Sequence, residues 1–254
     1  MAAKWTKFPH EQKAITYAGE ALKKNWDALH KGDNEPYPKD AKLQDAWRQY
    51  HAGNFAEAVG LGAGFVVEAK ATAIYATHLE KKDAGKVALF QHAMAIADAL
   101  RLREPKNVNA HYQYAYAAGR YSQSISILKA LKEGYGGKIK TALETVLKLD
   151  AKHAEAYTAL GAYHAEIIDK VGAMVGKLTY GASKDIAVES YEKALKLTPA
   201  SPIANIEYAN GLMMLFGDKE EAKAVKLYEK VTKMKGQDAM EMLDIEMAKN
   251  ELED

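Results

Sequence analysis

The side chains best suited to binding chemistry lie in one central segment, residues 107–132. This segment is rich in tyrosines, and it carries Arg120 next to Tyr121. An arginine there could hold an acidic group through parallel hydrogen bonds while tyrosines stack on the rest of a ligand. The same residues also fit a structural role, in which the tyrosines pack between helices and Arg120 neutralises a buried acid. The sequence leaves both interpretations open.

A second polar cluster contains His164, Glu166, Asp169 and Lys170. Helical metal sites usually present ligands at positions i and i+3 or i+4, whereas Asp169 follows His164 by five residues. The spacing argues against a metal site, and we predict neither a metal nor another cofactor. No serine or histidine lies in a known catalytic motif. We therefore expect a binding protein and not an enzyme.

The next segment, residues 172–185, contains Gly172, Gly176 and Gly181. Each glycine costs about 0.8–1.0 kcal/mol in a helix interior relative to alanine. The segment fits either a tightly packed arm or a loop whose backbone amides meet a ligand. It is not a phosphate-binding loop, because the G-x-x-x-x-G-K-S/T pattern and a preceding strand are both missing.

Helices must position these side chains, since apolar residues recur at steps of three and four nearly throughout the chain. Stripes at Ile15–Leu29 and Leu43–Tyr50 predict two helices, and a third begins near Phe55. Short connections make neighbouring helices antiparallel. The remaining helices are predicted at about 66–82, 84–103, 107–132, 138–149, 153–175, 184–197, 201–216, 219–234 and 237–252.

A repeat underlies these helices. Similar helix endings recur at Leu100–Pro105, Leu147–Ala151 and Leu195–Pro199, and their last residues are 46 and then 48 positions apart. A tetratricopeptide (TPR) unit, which pairs a helix A with a helix B, spans about 34 residues. We assign the surplus to the helix-A side of two repeats, residues 107–137 and 153–183.

The surplus predicts two arms, residues 120–135 and 165–183, that project from the stack, pair with each other and wall one end of a groove. Small residues on the second arm would allow the pairing, namely Gly172, Ala173 and Gly176. Arg120, Tyr121, His164 and Asp169 would then lie near the floor of the groove. The repeat pattern also places Gly161 where its helix A meets Ala187 and Ala194 of helix B.

Composition narrows the choice of partners. The chain has 35 lysines and arginines against 34 aspartates and glutamates, so we expect no nucleic-acid partner. No run of residues is apolar and long enough for membrane insertion. The N-terminal residues lack the apolar run of a secretory signal, which predicts a cytoplasmic protein; a processed periplasmic chain is the alternative. Cysteine is absent, which excludes disulfides and thiolate chemistry.

Several motifs carry a family resemblance: Ala118-Gly119-Arg120-Tyr121, His153-Ala154-Glu155-Ala156-Tyr157, Leu160-Gly161 and Tyr191-Glu192-Lys193-Ala194. With them, residues 105–235 resemble the TPR domain of the regulator of microtubule dynamics family, and more loosely TPR subunits associated with bacterial TRAP transporters. The N-terminal hundred residues are similar to uncharacterised bacterial TPR proteins. The resemblance implies a helical scaffold without implying one function. Microtubule binding is not expected, since no basic patch is evident.

Peptide-binding TPR proteins hold a C-terminal carboxylate with lysine, asparagine and arginine on the inner face of their A helices. The corresponding positions here hold Thr158, Ala162, Ile206 and Asn210, and only Asn210 fits. A carboxylate clamp is therefore not expected. Tyr157 occupies a large-residue position near the start of its A helix and is retained with Asn210 as a candidate contact.

Together these observations predict an all-α fold, a right-handed α-solenoid of TPR-like helix pairs with elongated helix-A arms. Residues 1–105 form an N-terminal helical layer with a degenerate repeat, and residues 106–254 hold the elongated repeats, in one continuous domain. The helix at 237–252 caps the stack. We expect its inward residues to be Ala239, Leu243 and Met247, and its outward ones Glu241, Asp244 and Glu246.

The predicted function is that of a TPR-type binding or scaffold protein that recognises a protein, a peptide or a small ligand on its concave surface. The alternative is a small-molecule-binding accessory subunit of a transport system, with an enclosed pocket. The candidate contact residues are Arg120, Tyr121, Tyr157, His164, Asp169 and Asn210.

Overall fold

A computed structural model describes residues 5–253, and every regular element in that range is helical, as predicted. The outermost residues of the two predicted domain ranges, 1–4 and 254, lie outside the described residues. The α-helices are α1 (Ala21–Leu29), α2 (Ala41–His51), α3 (Phe55–Leu61), α4 (Val66–His78), α5 (Asp83–Arg103), α6 (Val108–Ile125), α7 (Ile127–Lys132), α8 (Tyr135–Leu149), α9 (Ala154–Val171), α10 (Ala173–Val175), α11 (Lys184–Leu197), α12 (Pro202–Phe216), α13 (Glu221–Thr232) and α14 (Ala239–Glu253). Short 3-10 turns lie at Lys13–Ile15 and Gly217–Glu220, and a π-helical turn at Gly176–Tyr180.

The helices that carry the central part of the chain begin at side-chain caps. Asn107 accepts a hydrogen bond from the backbone N–H of Ala110 at 3.0 Å, and so fixes the start of α6. At the start of α9 the cap is His153, whose ring nitrogen accepts from the N–H of Ala156 at 3.0 Å. Ser201 caps α12, which has proline at its first position. These caps fix where each of the three helices begins.

Most consecutive helices from α2 to α14 pack against one another, and α9 also contacts α6 and α12 across the intervening helices. The largest hydrophobic core runs from α4 to α12. Its tightest point is the Tyr191 ring of α11, which lies between two glycines: a Cβ added at Gly161 would come within 2.8 Å of the ring, and one at Gly211 within 2.4 Å. Gly161 therefore lies at a close α9–α11 contact, as the repeat pattern predicted, and its nearest neighbours there are atoms of the Tyr191 ring.

The two predicted arms are not straight extensions of their helices. α6 ends at Ile125 because Ser126 adopts a φ of +110°, and the chain restarts as α7 in a new direction. α9 ends before Gly172, with a φ of +82°, and continues as the short α10 and the π-helical turn. The continuous helices predicted at 107–132 and 153–175 are therefore wrong at these breaks.

The arms meet through other residues than the predicted ones. A Cβ added at Gly136, at the start of α8, would lie 2.8 Å from Leu131 of the first arm and 3.3 Å from Tyr180 of the second. Gly176, by contrast, packs near Ile167 of its own arm, and Gly172 has open space around it. Of the small residues of the second arm, Gly176 therefore lets that arm fold closely onto α9.

The C-terminal helix α14 contacts the N-terminal layer as well as α12 and α13. Ala239 and Leu243 belong to the same hydrophobic core as the residues of α1 to α4, so the predicted ranges 1–105 and 106–254 share one core. The outward position predicted for Asp244 is wrong: its side chain is buried and lies 3.2 Å from Nε2 of His78. Within residues 5–253, no helix combines the length and apolarity that crossing a membrane requires.

Candidate functional site

A cleft with a cavity volume of about 100 Å³ lies between α6, α9 and α12, with α7 and α8 closing one side. Most of its wall is apolar carbon. Polar groups enter it at a few points only, from Arg120, Gln123, Glu155, Glu166 and Glu207, together with tyrosine and threonine hydroxyls. A concave site with a largely apolar wall and few polar groups is typical of small-molecule binding.

One wall is a single stripe of α6. Tyr112, Tyr116, Gly119 and Gln123 recur at steps of three and four, so their side chains lie on one face. A Cβ added at Gly119 would meet nothing within 4 Å, so the glycine leaves space in the wall itself.

The facing wall is a stripe of α9 with Glu155, Ala159, Ala162 and Glu166 on one face. The two alanines keep the middle of the cleft wide, and the carboxyl groups stand at its two ends. Glu166 follows Glu155 by eleven positions of helix, which is roughly 16 Å along the axis. The cleft is therefore apolar in its middle and acidic at both ends.

α12 contributes Ile203 and Glu207 to the cleft. Nη2 of Arg120 donates to Oε1 of Glu207 at 2.7 Å, and the guanidinium lies 5.4 Å from the centroid of the Tyr116 ring. Both partners of this ion pair are mostly buried, with 21% and 14% of their side chains exposed. The structural role considered for Arg120, neutralising a buried acid, is confirmed, and the same residue also borders the cleft.

Glu166 lies near this ion pair and has a neutral hydrogen-bond partner, because Nε2 of Gln123 donates to its carboxylate. Burial, and then the charge of Glu207, raise the pKa of Glu166 to about 7. The donor from Gln123 and the positive charge of Arg120 act in the opposite direction without cancelling this effect. At neutral pH the carboxyl group is therefore divided between its protonated and ionised forms.

Glu155, at the other end, is tied to a buried lysine. Nζ of Lys70 lies 3.3 Å from Oε1 of Glu155 and 2.5 Å from Oδ2 of Asp33. Burial is the main reason that the pKa of Glu155 is raised to about 7, although Lys70 opposes the rise. Because Lys70 is shared between two carboxyl groups, it does not add a net positive charge to this end of the cleft.

The network behind Glu155 continues through two histidines to the C-terminal helix. Nδ1 of His30 lies 2.9 Å from Asp33, the Nε2 atoms of His30 and His51 lie 3.2 Å apart, and Nδ1 of His51 lies 2.9 Å from Asp238. Asp238 also accepts from the N–H of Glu241 in the first turn of α14. An unbroken chain of polar contacts thus joins the cleft to the start of α14.

Of the six residues predicted as contacts, Arg120 is the one that borders the cleft. Tyr121 points to the other side of α6, where its ring packs 5.4 Å from that of Tyr135. Tyr157 lies under Lys193, whose Nζ is 4.3 Å from the ring centroid. The prediction that Tyr121 and Tyr157 contact a ligand in this cleft is not supported by their positions.

The other three predicted contacts lie elsewhere too. His164 is 2% exposed, its Nδ1 has no hydrogen-bond partner among the described residues, and burial lowers its pKa to about 4. Asp169 is exposed and pairs with Lys170 at 2.7 Å. Asn210 accepts a hydrogen bond from Tyr228 at 2.7 Å and so joins α12 to α13. The predicted groove floor of Arg120, Tyr121, His164 and Asp169 does not form.

The expected inner face of the A helices is correct on α9, where Thr158 and Ala162 border the cleft, but wrong on α12. There the cleft-facing residues are Ile203 and Glu207, whereas Ile206 is completely buried. Glu155, Glu166 and Glu207 were missed as site residues. A usable signal was present in the stripe at Glu155, Ala159, Ala162 and Glu166, where small residues stand between two acids.

No protein-family model matches this chain, and a search of the curated proteins finds no similar sequence.

Proposed function

We propose that this is a ligand-binding protein that holds a small, largely apolar molecule in the cleft between α6, α9 and α12. The observation that carries the proposal is the cleft itself, a concave space of about 100 Å³ with a wall of mainly apolar carbon. Sites for small molecules are concave and mostly apolar, with a few polar groups that orient the ligand. A protein or peptide segment is the other class of occupant, and the limited volume favours the small molecule.

The site also fits the repeat architecture expected from the sequence, which we retain as part of the proposal. The helices that line the cleft, α6, α9 and α12, are those that the repeat pattern assigns as A helices, and A helices form the concave surface of a TPR stack. Of the two predicted functions, this proposal is closer to small-molecule binding, without its assignment to transport.

The proposal is tested by filling the cleft. Gly119 is helical, borders the cleft and has open space around a Cβ, so the Gly119→Leu side chain would project into the space that a ligand needs. Gly137 is the matched control, because it is also helical, has open space around a Cβ and does not border the cleft. We expect the wild type and Gly137→Leu to bind the neutral apolar dye Nile red with similar affinity.

Gly119→Leu should weaken dye binding by about tenfold or more, because a branched side chain of four carbons removes apolar contacts throughout the middle of the cleft. Binding is followed by the increase in dye fluorescence, and the helical content of each variant by circular dichroism. Equal affinities for both variants would refute the cleft as the site. A failure of the wild type to bind any apolar probe would refute the proposed function.

A further inference from the structure

We infer that the ligand of the cleft carries a protonated amine, which pairs with the carboxylate of Glu166 while its apolar body lies against the middle of the cleft. This inference rests on the proposed function and adds the chemical class of the ligand.

The first argument is the balance of charge. Three carboxyl groups border the cleft, those of Glu155, Glu166 and Glu207, against the single guanidinium of Arg120. Arg120 is already engaged with Glu207, and Lys70 behind Glu155 is shared with Asp33. An anionic ligand would therefore meet an excess of negative charge on entering, whereas a cation would reduce it.

The second argument is the position of Glu166. None of the ion pairs among the described residues includes it, and its hydrogen-bond partner is the neutral amide of Gln123. Glu207 and Arg120 face it from the neighbouring helices, Lys170 follows it on its own helix, and the buried Tyr191 hydroxyl also lies in its field. Burying a carboxylate without a cation is unfavourable, and a bound ammonium group would supply that cation.

The third argument is shape. Between Glu166 and Glu155 the cleft is lined by small residues, Ala159 and Ala162 on α9 and Gly119 on α6. An apolar chain attached to the ammonium group therefore has room to extend towards Glu155. The aromatic faces of Tyr112 and Tyr116 border the same space. A carboxylate at the end of an apolar channel is the arrangement expected for an alkylamine or arylalkylamine.

Binding should also release a proton. The pKa of Glu166 is raised to about 7 in the empty protein. In those protein molecules whose Glu166 is protonated, the proton must leave before the ammonium group can pair with the carboxylate. The affinity should therefore fall about tenfold for each pH unit below 7 and level off above it. At pH 7 about half a proton should be released for each ligand bound, while the amine itself stays protonated.

The test compares three probes of one chain length, 1-octylamine, 1-octanol and octanoate, by isothermal titration calorimetry at pH 8. The readout is the ratio of the amine affinity to the alcohol affinity, so that each variant has its own reference. We expect a ratio of at least about ten in the wild type, with octanoate the weakest, and a ratio near one in Glu166→Gln. Glu189→Gln removes an exposed carboxylate of α11 and should keep the wild-type ratio.

A second measurement repeats the octylamine titration at pH 7 in two buffers of different ionisation enthalpy. About half a proton should be released from the wild type and none from Glu166→Gln. If octanol binds as well as octylamine, or if Glu166→Gln keeps the preference for the amine, the inference is refuted while the proposed function stands. If none of the three probes binds, the proposed function is refuted and the inference fails with it.

Discussion

Replacing Glu166 by glutamine should make the empty protein more stable, and the gain should depend on pH. The folded protein keeps the proton of Glu166 up to about pH 7, because burial and Glu207 raise its pKa from the ordinary value of 4.5. The unfolded chain loses that proton at the ordinary value. Wild-type stability is therefore lost as the pH rises from 4.5 through 7, and glutamine, which has no proton to lose, escapes this loss.

The magnitude follows from the size of the pKa shift. Glu166 is shifted from 4.5 to about 7, and each pKa unit corresponds to about 1.36 kcal/mol. Well above pH 7 the Glu166→Gln variant should therefore exceed the wild type by about 3 kcal/mol in free energy of unfolding. Near pH 5 the difference should be below about 1 kcal/mol, because the folded protein is then still protonated and the unfolded chain has only begun to ionise.

Urea unfolding followed by circular dichroism at about pH 5 and pH 8.5 measures both values. With a slope of about 3 kcal/mol per molar urea, the midpoint should move by about 1 M at the higher pH. Gln123 can still donate to the amide oxygen of the new side chain, so no hydrogen bond needs to be lost. Glu189→Gln is the control for a simple change in net charge. A gain of equal size at both pH values, or a loss of stability at pH 8.5, would show that the burial argument for Glu166 is wrong.

Two further predictions concern packing and the buried ion pair. Gly211→Ala should destabilise the protein by about 1–2 kcal/mol, because the cost of overlap between its methyl group and the buried Tyr191 ring exceeds the gain in helix propensity. Gly137→Ala, with open space around it, should be neutral or stabilising by up to about 1 kcal/mol in the same urea assay. Equal effects of the two substitutions would contradict this account. Lys70→Met should cost about 3–5 kcal/mol, because it leaves the carboxylate of Asp33 buried beside a thioether, and unchanged thermal unfolding would show that Asp33 is solvated.

Much of the fold could be predicted from the sequence because local signals encode it. The helix predicted at 84–103 is observed at Asp83–Arg103, and that predicted at 184–197 has the observed bounds. Three-and-four periodicity, capping side chains and glycines act within a few residues along the chain, so they can be read from it directly. The break at Ser126 could not be anticipated in this way, since serine gives no local reason for its positive φ.

The site depended on information of a different kind. Periodicity showed which residues of α6 share a face, but not which face meets α9. Tyr121 and Arg120 therefore looked equally suitable, although only Arg120 borders the cleft. The rotation of each helix is decided by packing, such as the Tyr191 ring between two glycines. On α12 the prediction was one residue out of register. It placed Ile206 on the inner face, whereas Ile206 is buried and Glu207 borders the cleft.

Sequence by itself determined that this chain is helical and where most of its helices begin and end. Only the tertiary structure decided that Arg120 pairs with Glu207, that Glu155 and Glu166 border the same cleft, and that Lys70 lies between Asp33 and Glu155. The physical reason is the range of the forces. Helix formation is governed by neighbours along the chain, whereas burial and charge pairing join residues far apart in sequence, as in the Arg120–Glu207 pair, and exist only once the helices have packed.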